Sequence, residues 1–314
     1  MTDIDPIEEA RAFNVALEEL LAGAPSVHTV PPAETRKARA EGRGVFPAPE
    51  VVPEGRDRVI AGPGGELGLR VFVPPDPAGV YLHFHGGGWT LGAANQQDVL
   101  LWSFARNARV AVVSVDYRLA PEHPYPAGPD DCEAAALWLL ENAETEFGTD
   151  RLVVGGESAG AHLAAVTLLR LRDRHGAASA FRAANLTFGA FDLTMTPSVR
   201  LWGERNLILS TPIVAWFSDC FLGHLDAEAR RAPDVSPLYA DLRGLPSAIF
   251  TVGTLDPLLD DSLFMASRWR AAGNDAVLRV VSDAVHGFTA FPLVIAREAN
   301  EASIAFVANA IGSS

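Results

Sequence analysis

The sequence predicts an α/β protein: a mostly parallel, twisted sheet covered by helices on both faces and carrying a helical cap. Three observations predict it. Eight short apolar segments recur along the 314 residues with helical patterns between most of them, and continuous apolar strands separated by helices belong to parallel sheets buried on both faces. Two of those segments run directly into small-residue turns, Gly86-Gly87-Gly88 and Gly156-Glu157-Ser158-Ala159-Gly160. One section, 194–245, shows no strand pattern but places Trp202, Trp216, Phe217 and Phe221 on helical patterns.

Composition narrows the class. Hydrophobic residues at 48% against 20% charged supply a core and exclude a disordered chain. A net charge of −14 argues against a nucleic-acid or anionic-membrane partner. The opening stretch is acidic where a signal peptide is basic, and no apolar run reaches transmembrane length, so a cytoplasmic protein is expected. Cys132 and Cys220 lack metal or redox spacing and read as free thiols.

Taken in order, Ile7, Ala10, Phe13, Leu17, Leu20 and Leu21 mark an amphipathic helix. A second short helix follows Pro31-Pro32 and stops near Gly42, before the proline-rich break "FPAPEVVPEG". "RVIAG" and "LRVFV", joined across Gly62-Pro63-Gly64-Gly65, predict a hairpin at an antiparallel edge. "VYLHF", "VAVVSV", "RLVVGG", "LTFGAF", "AIFTVG" and "VLRVV" predict the remaining strands, with helices near 130–146, 159–174, 261–272 and 296–310. The expected division is an N-terminal cap segment over 1–50, a main domain over 51–193 and 246–314, and a cap insertion over 194–245.

Gly156-Glu157-Ser158-Ala159-Gly160 joins a strand to a helix, the context of a G-x-S-x-G nucleophile elbow. A serine hydroxyl needs a base to take its proton and an acid to orient that base. Downstream, Asp256 ends one strand and His286 the next, giving the order Ser, Asp, His. Asp256 also suits a helix cap, and Asp260 and Asp261 are rival acids inside the following helix. The other histidines fit less well: His28, His123, His175 and His224 lie in the N-terminal region, a proline-rich loop, a helix end and the cap, while His162 points into helix packing. His83 and His85 have zinc-like spacing, but nothing nearby completes a site, so no metal is expected. The glycine run is explained by an oxyanion hole, in which two of its N–H groups join that of Ala159 to stabilise a transition-state charge. Asp116, Arg118 and Glu122 are expected to form a buried ionic network in a proline-stiffened loop.

Together, "HGGGW", "DYRLAPEHPYPAG", "GESAG", "LDPL" and "HGF" resemble the hormone-sensitive-lipase family of esterases, from about residue 50 to the C-terminus. The resemblance implies an α/β-hydrolase fold with a cap built from the N-terminus and an insertion. It implies Ser158 as nucleophile, His286 as base, Asp256 as orienting acid, and Gly87, Gly88 and Ala159 as oxyanion donors. It departs at Glu157, where the family usually has Asp, and at Ala161 and His162, where Gly and Asn are frequent. The expectation is a cofactor-free serine carboxylesterase acting on small short- to medium-chain esters through an acyl-enzyme. An amidase or formamidase, or a non-catalytic binding module, are the alternatives. Trp89, Trp202, Trp216, Phe217 and Phe288 are the expected pocket residues, and a homodimer is left open.

Overall fold

The turn at Gly62–Gly65 folds β1 (Arg56–Gly62) back on β2 (Gly65–Phe72), pairing Gly62 with Gly65 and Arg56 with Val71. In the computed structural model, which describes residues 5–312, this hairpin forms one edge of an eight-stranded sheet. The first four residues of the expected N-terminal segment and the last two of the main domain lie outside the described residues. The sheet continues with β3 (Gly79–Phe84), β4 (Val110–Asp116), β5 (Leu152–Glu157), β6 (Phe181–Thr187), β7 (Ser247–Leu255) and β8 (Ala276–Val285), in the spatial order β1-β2-β4-β3-β5-β6-β7-β8. β2 pairs antiparallel with β4, and every later pairing is parallel.

α1 (Pro6–Ala22) and α2 (Pro32–Ala40) precede the sheet, α3 (Asp98–Ala108), α4 (Ala127–Phe147), α5 (Ala159–His175), α6 (Pro197–Trp202), α7 (Thr211–Leu222) and α8 (Leu259–Ala271) lie between strands, and α9 (Val294–Gly312) follows the last strand. Alternate strand residues face opposite layers. Val80, Leu82, Phe84, Val113 and Val154 face a core closed by α4, α5 and α8. Phe72, Tyr81, Val112 and Val153 face a second core closed by α3 and α9. Because every residue of β3 is buried, side chains beyond its end are aimed from a rigid platform. Among the described residues no helix is long and apolar enough to cross a membrane.

The sixth strand lies earlier than its sequence suggested. β6 spans Phe181–Thr187 and shares only Leu186 and Thr187 with "LTFGAF". Ala183 to Thr187 pair with both β5 and β7, and at Phe188 the backbone turns to φ +36 while its N–H takes the Thr251 carbonyl. The small Ala183 and Ala184 and the polar Asn185 are what disguised this buried strand. Between residues 194 and 245 stand α6, α7 and single 3-10 turns, with an isolated Leu207–Leu209 bridge.

Candidate active site

Two close approaches form the turn after β5. A Cβ on Gly156 would stand 2.2 Å from the Phe84 carbonyl oxygen, and one on Gly160 would stand 1.9 Å from it. The glycines therefore let β5 and α5 press against the end of β3. Ser158, between them, is held at φ 56°, ψ −120°, a conformation costing on the order of 1–3 kcal/mol. Its N–H donates to the Thr187 carbonyl at 2.9 Å, which fixes the turn.

Ser158 Oγ lies 2.9 Å from His286 Nε2, and His286 Nδ1 lies 2.8 Å from Asp256 Oδ2. Asp256 is fully buried, and its other oxygen accepts the Leu258 N–H at 2.8 Å. With a carboxylate on Nδ1, the imidazole carries its proton there and leaves Nε2 to accept from the serine hydroxyl. Phe188 packs edge-on against the imidazole, 4.8 Å between ring centroids. The rival acids are engaged elsewhere. Asp260 accepts from the Ser198 N–H, and Asp261 from the N–H groups of Phe191 and Asp192 and the Thr196 hydroxyl.

The three glycines are required by close approaches. Gly86, whose N–H donates to Glu157 Oε1 at 2.8 Å, would bring a Cβ within 2.9 Å of the Glu157 carbonyl oxygen. Gly87 (φ +118°) has no room for a Cβ beside the Leu91 carbonyl, and Gly88 (φ +60°) none beneath the Phe217 ring, each contact falling at 2.2 Å. The N–H groups of Gly87 and Gly88 have no acceptor among the described residues, and that of Ala159, in the first turn of α5, has none within its helix.

Support for this loop comes from distant residues. Besides Gly86, the Glu157 carboxylate accepts from Gln97 Nε2 at 2.6 Å and His83 Nε2 at 3.0 Å. His83 Nδ1 meets the Ser114 hydroxyl, while His85 stacks on Tyr117 and donates from Nδ1 to the Gly86 carbonyl. The two histidines thus have separate partners, and among the described residues no three His, Cys, Asp or Glu side chains gather as a metal site. Trp89, at φ +58°, stacks on Phe221 of α7 and donates its indole N–H to His162 Nδ1 at 3.1 Å. His162 must then donate from Nε2 to the Val235 carbonyl, 2.8 Å away, and burial pushes its pKa down to about 4. Arg36 of α2 donates to the Thr90 and Ala120 carbonyls and grips Glu122 with both nitrogens.

Asp116, Arg118 and Glu122 do not form one network. Arg118 forks onto Asp131, Glu122 pairs with Arg36, and exposed Asp116 accepts the Ala94 N–H. Each side chain reaches a different neighbouring element, so proximity in sequence does not become contact.

A cavity of about 1550 Å³ opens over Ser158 and His286, with Trp89 and Phe217 among its walls. Trp202, Trp216 and Phe288 do not line it. The Trp202 indole donates back to the Arg205 carbonyl, Trp216 leans on the outer side of Phe217, and Phe288 is fully buried beside Phe188. Glu157, Gln97 and Arg36 were not foreseen as supports. Only Glu157 carried a signal, its departure from the family's aspartate.

A mostly parallel sheet with a strained serine elbow, hydrogen-bonded to a histidine and a buried aspartate beyond later strands, defines an α/β-hydrolase. A family model described as alpha/beta hydrolase fold matches residues 81–290. The chain is 38% identical to the carboxylesterase NlhH of Mycobacterium tuberculosis over 82% of its own length and 83% of that relative. It is also 38% identical to the carboxylic ester hydrolase LipN of the same organism, over 77% of this chain and 66% of LipN. The hyperthermophilic esterase of Pyrobaculum calidifontis superposes with a TM-score of 0.85 at 30% identity, covering 95% of this chain and 97% of that one. The chain belongs to the hormone-sensitive-lipase family of α/β-hydrolases and is a carboxylic ester hydrolase.

Proposed function

We propose that Ser158, His286 and Asp256 act as a catalytic triad hydrolysing short- to medium-chain acyl esters of small molecules through an acyl-enzyme. The observation that carries this reading is the unbroken chain of hydrogen bonds from Ser158 Oγ to buried Asp256, set beside the free N–H groups of Gly87 and Gly88. His286 Nε2 takes the serine proton as Oγ attacks the ester carbonyl, and Asp256 stabilises the imidazolium. The N–H groups of Gly87, Gly88 and Ala159 receive the oxyanion. His286 then protonates the departing alcohol, accepts a proton from water as that water attacks the acyl-enzyme, and returns it to Ser158 Oγ as the acid leaves.

Residues 1–50 and 194–245 act as the cap, with Phe217 of α7 closing the apolar side of the pocket. The test is hydrolysis of nitrophenyl esters from acetate to a long acyl chain by wild type and Ser158→Ala. Wild-type rates are expected to fall with chain length, and the variant to lose at least about 10⁴-fold in kcat. A variant as active as wild type would remove Ser158 from the mechanism.

A further inference from the structure

The cavity does not end at Ser158. It runs beneath Glu157 and Gln97 into a space between the sheet and the helices α3 and α9, where Tyr81, Asn185, Ser103 and Asn300 line it, and it reaches exposed Asn107. The cap side is walled by apolar residues such as Phe188, Leu209, Ile213 and Phe217. Apolar Leu101, Phe104 and Ile304 line this second arm as well, but its polar groups are incompletely paired.

Asn185 is 4% exposed, and its Nδ2 donates to the Tyr81 hydroxyl oxygen at 3.2 Å, leaving Asn185 Oδ1 with no partner. Burial pushes the Tyr81 pKa upward, so the phenol keeps its proton, and that proton has no acceptor among the described residues. Gln97 Oε1 is likewise buried without a partner. Gly155 lets Asn185 and the Tyr81 hydroxyl pack against β5, since a Cβ there would stand 2.4 Å from the Asn185 carbonyl oxygen and 2.6 Å from the Tyr81 hydroxyl. Buried polar groups without a protein partner are what ordered water satisfies. The register sets Asn185 opposite Gly155 and Thr187 opposite Glu157, so the orphan groups lie about 7 Å down the sheet from the row next to Ser158.

We propose that the arm between α3 and α9 is a water-entry route to the acyl-enzyme, separate from the cap-side mouth that takes the ester. The inference rests on the acyl-enzyme reading above. While the acyl chain and leaving alcohol occupy the apolar side, water reaches the acyl carbonyl past Asn185, Gln97 and Glu157. Its oxygen bonds to the acyl carbon and its proton passes to His286 Nε2. The Ser158 ester bond then breaks as His286 returns the proton to Oγ, releasing the carboxylic acid.

The experiment blocks the arm at two depths, with Ser103→Leu at its throat and Asn185→Leu at its floor. Each variant's acyl-enzyme is partitioned between water and added benzyl alcohol, the bulkier nucleophile, which under this proposal enters through the cap-side mouth. The acid-to-benzyl-ester product ratio is expected to fall about fivefold in both folded variants. Their kcat/KM for the ester, which reports acylation, stays within twofold of wild type. A crystal structure is expected to show ordered water on Asn185 Oδ1 and the Tyr81 hydroxyl. A wild-type product ratio in both variants, or a dry floor at Asn185, overturns the proposal. Ester hydrolysis surviving Ser158→Ala would instead overturn the acyl-enzyme reading on which it rests.

Discussion

Acidification should weaken the fold through His162. The imidazole is fully buried and neutral, accepting from the Trp89 indole and donating to the Val235 carbonyl. Burial is the chief cause of its lowered pKa, about 4 against 6.5; the Val235 bond and Asp234 oppose the shift and Arg170 adds to it. The unfolded chain therefore binds a proton between about pH 6.5 and 4 that the native imidazole refuses, so stability is lost as pH falls through that window. The gap between the two values is worth about 3 kcal/mol by pH 4. With a urea slope of about 3 kcal/mol/M, the denaturation midpoint should drop by about 1 M between pH 7 and pH 4 through this residue alone. Asp261, whose carboxyl burial pushes up to about 7, contributes with the opposite sign, because its protonation favours the native state as pH falls. Comparing wild type with His162→Asn cancels that term, since Asn does not titrate and Asp261 is common to both. Urea titrations at pH 7 and pH 4 should show the wild-type midpoint falling about 1 M further than the variant's. Parallel losses in the two proteins would refute the assignment.

Glu157→Gln should lower kcat ten- to a hundredfold with little change in KM, because the carboxylate anchors Gly86, Gln97 and His83 behind the glycine loop without lying in the proposed oxyanion hole. Steady-state kinetics on a nitrophenyl ester checks it, and a KM effect alone would contradict it. Gly160→Ala should cost about 3 kcal/mol or more, since its Cβ meets a backbone oxygen at 1.9 Å that cannot yield. Gly148→Ala, at φ +72° with nothing within 4 Å, should cost only about 1 kcal/mol. Urea midpoints that rank the two equally would show that the elbow is looser than these distances require.

What the sequence revealed and concealed follows from the range of each interaction. Strand and helix periodicity is local, so the hairpin and most crossovers were legible, as was the placement of Ser158, Asp256 and His286 just beyond strand ends. The start of β6 was hidden because "FRAAN" carries small Ala183 and Ala184 and polar Asn185 where a buried strand is expected to be strongly apolar. The aromatics of the 194–245 insertion show a different limit. Trp216 and Phe217 are adjacent on α7, so they point about 100° apart and cannot both face the cavity. Hydropathy ranks them alike, and only the docking of α7 over Gly88 decides for Phe217. Asp116, Arg118 and Glu122 fail as a network for the same reason: their partners Ala94, Asp131 and Arg36 lie on other elements.

The glycine loop shows how these distant contacts combine. Its backbone is held on one side by the Glu157 carboxylate beneath the sheet edge. On the other, Arg36 of α2 grips the Thr90 carbonyl, Phe217 of α7 lies over Gly88, and His162 ties Trp89 to the Val235 carbonyl. Arg36 and Phe217 reach the loop from the N-terminal helices and the 194–245 insertion, and His162 of α5 relays a third restraint from Val235. A glycine backbone has no side chains of its own to fix it, so the position of the Gly87 and Gly88 N–H groups depends on how these outer segments are seated. With these N–H groups receiving the oxyanion as proposed, damage to α2 or to the 194–245 insertion far from Ser158 should appear in kcat as well as in KM, because transition-state donors displaced by a fraction of an ångström lose more than a ground-state pocket does.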